Sequence, residues 1–146
     1  MTGLLLLLFA VAAGALLPVQ AALNTRLSHF VGGPVRASFV SFAFGAICLA
    51  IVVALFYRSE PHRAGHAPWW AWVGGALGAF YVTSAAVVPL RVGAAAYFAI
   101  LVAAQLVAGV LLDQFGWLGF PQREASPARL AGIGLLVAGA LLVRLA

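Results

Sequence analysis

The sequence predicts an all-α membrane protein of five transmembrane helices, and three observations predict it. The 146 residues are 65% hydrophobic and only 8% charged, with a mean hydropathy of +1.12. That is too little charge to cover the surface of a soluble domain. The apolar residues fall into five runs, each near the ~20 residues that a helix needs to cross a bilayer. The helix breakers gather between those runs: Gly32-Gly33-Pro34, Pro61 to Pro68, Pro89 to Gly93, and Gly119 to Pro127. The chain therefore reads as a single five-span domain over residues 1–146, with spans at about 3–23, 36–57, 68–88, 93–115 and 127–145.

The first run follows Met1-Thr2-Gly3, with no basic residues ahead of its leucines. It continues into polar Gln20 and Asn24, so it reads as a span and not as a cleaved leader. Pro18 kinks it or opens a carbonyl, which membrane helices tolerate where a neighbour satisfies the freed group. Gln20 and Asn24 are four residues apart and share a helical face. That face is expected to turn away from lipid. It either makes interhelical hydrogen bonds or forms a polar wall for a ligand.

The second run carries Ser38, Ser41 and Gly45 on one close-packing face, with Phe39, Phe42 and Phe44 between them. Cys48 is the chain's single cysteine and excludes an intrachain disulfide; its apolar surroundings suggest a small core residue. After this run, His62 and His66 stand four apart. They lack a third ligand and are flanked by prolines, so they read as solvated and not as a metal site.

The third run, WWAWVGGALGAFYVTSAAVV, is the most informative. Trp69, Trp70 and Trp72 suit a membrane–water interface. Gly74 and Gly78 are spaced GxxxG, which permits close approach of two helix backbones in lipid. Tyr81, Thr83 and Ser84 add a polar ring beyond them. In the fourth run, Gln105, Gly109 and Asp113 recur every four residues. Asp113 is the single acid within an apolar run. It is either a solvated interfacial carboxylate or a coupling site for a proton or cation at a cavity mouth. The fifth run, with Gly132, Gly134, Ala138 and Gly139, offers packing and no chemistry.

No His or Cys cluster, acidic pair, phosphate-cradling loop or activated serine emerges, so neither an enzyme nor a cofactor nor a metal is expected. Eight arginines and no lysine give a net charge of +5. They lie singly between apolar runs, so they read as interfacial anchors and not as a nucleic-acid surface. Alternate assignment of the loops puts Arg58, Arg63, Arg123 and Arg129 on one side and Arg26, Arg36, Arg91 and Arg144 on the other. That balance gives no basis for a single orientation. Five spans also make a plausible single repeat of an inverted-repeat transporter.

PVQAALNTRL, WWAWVGGALGAFYVT and AAQLVAGVLLDQFG, in that order, resemble the YdcZ-like short inner-membrane transporters of the drug/metabolite transporter superfamily. The resemblance covers nearly the whole chain. It implies half of a ten-helix transporter fold, with paired, fused or dual-topology halves. It points to Gln20, Asn24, Trp72, Tyr81 and Gln105 as solute contacts and to Asp113 as a coupling candidate, with Gly74, Gly78 and Gly109 for helix packing. The small multidrug exporters of that superfamily rely on a carboxylate in the first span, and this chain has none there. The expectation is a transporter of a small solute by alternating access, as an antiparallel homodimer with membrane lipid around it. A passive channel and a structural membrane subunit without cargo are the alternatives.

Overall fold

A polypeptide in hydrocarbon must satisfy its backbone polar groups within itself, and the helix is the way a single segment does so. The computed structural model describes residues 2–57 and 64–145, and among these there is no strand. Five helical segments are long and apolar enough to cross a membrane: Gly3–Val31, Pro34–Phe56, Trp69–Val92, Ala94–Phe115 and Pro127–Leu145. The chain divides into two units, one ending at Val87 and one beginning at Val88.

The first unit contains α1 (Thr2–Val31), α2 (Pro34–Phe56) and α3 (Gly74–Val87). α1 runs past the expected end near residue 23, through Asn24 and Arg26, for 30 residues. At 1.5 Å per residue that is about 45 Å, longer than the ~30 Å hydrocarbon core. Its actual stop is Gly32 at φ 81. The Gly33 N–H donates to the Ser28 carbonyl at 2.8 Å, the 6→1 bond of a Schellman motif. Pro34 then opens α2, where its missing N–H costs nothing. Trp69–Val73 is a 3₁₀ turn and not the start of an α-helix; α3 begins after it, at Gly74.

This unit is packed with small side chains. Ala21, Ala37, Ala85, Ala86 and Ser38 are buried together with Val82. Gly78 lets α3 meet α2, since a Cβ there would stand 3.3 Å from the Phe42 ring. At Gly74 a Cβ would meet nothing within 4 Å, so of the GxxxG pair Gly78 alone packs a helix within the unit. Cys48 is exposed, contrary to the core position expected for it. An apolar run in a membrane helix is covered by lipid as readily as by protein, so hydropathy did not distinguish the two.

The second unit contains α4 (Pro89–Val92), α5 (Ala94–Phe115) and α6 (Pro127–Leu145). The Pro89–Gly93 connection is thus one helical turn. α5 starts at Gly93 (φ 85) without a side-chain cap and ends at left-handed Gly116 (φ 62). Ser126 caps α6: the Arg129 N–H donates to its Oγ at 3.3 Å. That is the usual geometry of a serine N-cap, which satisfies one of the four orphan donors.

Candidate functional site

The polar side chains within the spans are where a membrane protein of this composition can do something besides pack. In the first unit they include Gln20, Asn24, Thr25, Ser28, Ser38, Tyr81, Thr83 and Ser84. Thr25 and Asn24 lie at adjacent positions of α1. The Thr25 hydroxyl donates across to the Ala86 carbonyl of α3 at 3.3 Å. Ser28 Oγ donates back to the Thr25 carbonyl at 2.6 Å, and Ser84 Oγ to the Tyr81 carbonyl at 2.8 Å. Ser38 on α2 closes the same local bond, onto Pro34 at 3.0 Å. These hydroxyls are satisfied by backbone carbonyls.

Asn24 differs from them. It is 3% exposed, and its Nδ2 has no acceptor among the described residues. The other buried side chains of this unit are alanines and a valine, apart from Ser38, whose hydroxyl is already committed. An amide donor left unpaired in such surroundings costs about 1–3 kcal/mol. Gln20, expected on the same inward face, is exposed. The reason is rotational: Ala21 takes the inward position one residue later, about 100° around the helix from Gln20. Gln20 instead lines a shallow hollow of about 390 Å³ whose other walls, Ala13, Leu16, Leu17, Val19 and Leu23, all belong to α1. Trp72 is also exposed, on the 3₁₀ turn, and Tyr81 is half-buried. His66 lies in a short 3₁₀ turn, and His62 lies outside the described residues. No group of three metal-ligating side chains is present among the described residues.

In the second unit Gln105 is exposed at the middle of α5. Gly109, one turn on, has open space where a Cβ would be. Asp113 has a partner that the sequence reading missed: its Oδ2 accepts from the Arg129 guanidinium at 2.6 Å. Around that pair the corner is stitched shut. The Arg123 N–H donates to the Asp113 carbonyl at 2.7 Å. Gln114 Oε1 accepts the Ala125 N–H at 2.6 Å, and Gln122 Nε2 donates to the Gln114 carbonyl at 3.1 Å. Phe115 and Trp117 stack at 4.7 Å. The available signal was positional. Asp113 sits in the last turn of α5 and Arg129 in the first turn of α6, so a hairpin between them brings the charges together. A hollow of about 600 Å³ between α5 and α6 is lined by Phe98, Val102, Leu135, Leu136, Val143 and small residues, without a polar side chain.

Comparison with known proteins bears on these features as a set. Residues 5–142 match the model of a family described as "Putative inner membrane exporter, YdcZ". The chain belongs to this YdcZ family. It is 34% identical over 143 residues to the inner membrane protein YdcZ of Escherichia coli (strain K12), covering 95% of this chain and 94% of that protein. No solved structure matches the chain. Family membership and the five apolar helices make it a multi-pass inner-membrane protein, as the sequence implied.

Proposed function

We propose that the chain is a transporter of a small metabolite or amphipathic solute that works by alternating access as an antiparallel, dual-topology homodimer. Its family is described as an inner membrane exporter, which supports transport over catalysis. The observation that carries the reading is Asn24, a buried amide with an unused donor in a helix that crosses the membrane. A polar residue kept in a membrane helix without a structural partner is a functional-site candidate. Gln20 and Gln105 support it, because each leaves an amide exposed on a spanning helix. In a lone chain those amides would face lipid, where polar groups are costly. Solute is assigned to Gln20, Asn24, Trp72 and Tyr81 of the first unit and to Gln105 of the second. Gly74, Gly78 and Gly109 permit close approach and movement of helices.

Asp113 is assigned a structural role and not proton coupling, since Arg129 already occupies its carboxylate at 2.6 Å. The even division of arginines supports insertion both ways up, which supplies both halves of an inverted-repeat transporter from one sequence.

The test is counterflow in proteoliposomes preloaded with fractionated metabolite pools. Saturable exchange of a labelled solute that requires the protein is expected. Non-saturable flux would contradict the reading in favour of a channel. No flux of any fraction, with protein that is folded and dimeric, would favour a subunit without cargo.

A further inference from the structure

On α6, Gly132, Leu136, Ala140 and Arg144 recur every four residues and so share one face of the helix. The first three line the hollow between α5 and α6, together with Phe98 and Val102 of α5. A Cβ at Gly132, or at Gly139 beside it in the lining, would meet nothing within 4 Å. These glycines do not draw two helices together as Gly78 draws α3 to α2; they give the hollow its depth. It measures about 600 Å³, within the ~300–1,000 Å³ of small-ligand sites. It is open along one side and apolar throughout. From Gly132 to Arg144 the helix rises about 18 Å at 1.5 Å per residue. That is close to one leaflet, half of the ~30 Å hydrocarbon core. The hollow is therefore a slot with the length of one acyl chain.

The slot has a charged mouth. Arg144 stands in the last turn of α6, one turn past Ala140 on the lining row, and is exposed. Phe98, near the start of α5, and Val143, near the end of α6, line the same hollow, so the mouth lies at the N-terminal end of α5. Two further features make that end positive. Arg91 is exposed just before α5 begins. The N-terminus of α5 has no side-chain cap, and the first N–H groups of a helix favour an anion. Asp113 and Glu124, the acids of this unit among the described residues, both lie at its opposite end. Asp113 is held there by Arg129 at 2.6 Å. No acidic side chain matches the positive mouth.

We infer that the α5–α6 slot binds an anionic phospholipid, with one acyl chain along the hollow and the phosphate on the Arg144 guanidinium. Both halves of the site are needed for that choice. A free phosphate would use the charge and leave the apolar slot unused. A zwitterionic lipid would fill the slot and bring no net charge to the arginines. An anionic phospholipid meets both, and basic pockets between membrane helices recognise such headgroups. The inference does not depend on the transport reading.

Native mass spectrometry of the protein released from detergent micelles tests it, with phosphatidylglycerol and phosphatidylcholine added in equal amounts. The wild type is expected to retain one phosphatidylglycerol per chain in preference to phosphatidylcholine. Arg144→Gln is expected to weaken phosphatidylglycerol about fivefold, the share of one interfacial arginine, and to leave phosphatidylcholine unchanged. Gly139→Leu fills the slot and is expected to lose both lipids. Arg123→Gln removes an exposed arginine from the opposite end of the unit and is expected to behave as the wild type. In micelles the direction of insertion plays no part, so the altered arginine count does not enter. Arg144 is exposed, so its variant keeps the test decisive even if Gly139→Leu folds badly. Equal retention of the two lipids by the wild type would overturn the headgroup site, as would equal losses from Arg123→Gln and Arg144→Gln. Undiminished phosphatidylglycerol on folded Gly139→Leu would overturn the slot. Conversion of a dimer to a monomer by Gly139→Leu, with lipid binding unchanged, would put a second copy of the chain there in place of lipid.

Discussion

At the α1–α2 corner the chain reverses in two glycines, with one Schellman bond and, two turns back from the end of α1, the buried Asn24, whose Nδ2 has no acceptor among the described residues. At the α5–α6 corner it takes a longer path, and nearly every polar group there is committed. Asp113 holds Arg129, Gln114 holds Ala125 and Gln122, and Ser126 caps the next helix. The difference teaches how to read polar residues in a chain with few of them. A group whose bonds are all used within its own hairpin stabilises that hairpin. A group buried without a partner carries a cost that local structure does not offset, and that group is where function is to be sought. By this criterion the asparagine, and not the single acid among the spans, is the functional candidate.

Substitutions that disturb one corner and not the other sharpen the contrast, and thermal unfolding followed by tryptophan fluorescence reads them. The largest loss is expected in the first unit, from Gly78→Leu. A Cβ there is already tight against Phe42, and overpacking costs about 1–3 kcal/mol. Wild-type stability in that variant would contradict the packing role. In the second unit, Arg129→Leu strands the Asp113 carboxylate. The side chains are 37% and 23% exposed, so solvent screening reduces the loss to about 1–2 kcal/mol, below the value for a fully buried pair. The variant is expected to keep counterflow at temperatures where it remains folded. Loss of counterflow with stability intact would return Asp113 and Arg129 to the transport mechanism. Ser126→Ala removes the cap of α6 and is expected to cost ~1 kcal/mol. Gly74→Ala is the smallest case. Nothing lies within 4 Å of the added methyl, so helix propensity alone acts and stability is expected to rise by up to about 1 kcal/mol.

The sequence made the spans legible because a membrane helix announces itself by hydropathy, and Pro127 and Gly93 marked starts that the structure keeps within a residue. Orientation about each helix axis was not legible. Lipid covers apolar side chains as well as protein does, so no amphipathic stripe showed that Cys48 faces outward or that Asn24 turns in while Gln20 does not. α1 ran beyond its expected end because Asn24, Thr25 and Arg26 are polar without being helix breakers; the glycine at 32 was the true signal. The Asp113–Arg129 pair depends on the closure of a hairpin, a tertiary event that spacing along the chain does not record. The solute residues assigned by resemblance are split by the structure into buried Asn24, half-buried Tyr81, and exposed Gln20, Trp72 and Gln105.

The central claim is that the unpaired Asn24 amide is kept for solute and not for the fold, and Asn24→Leu tests it most directly. Leucine is close in size and needs no hydrogen bond, so the claim predicts unfolding stability equal to or above that of the wild type, by up to about 1–3 kcal/mol. It also predicts loss of counterflow in the same proteoliposomes. A variant that exchanges solute at the wild-type rate, or that loses transport only because it has lost its fold, would contradict the claim.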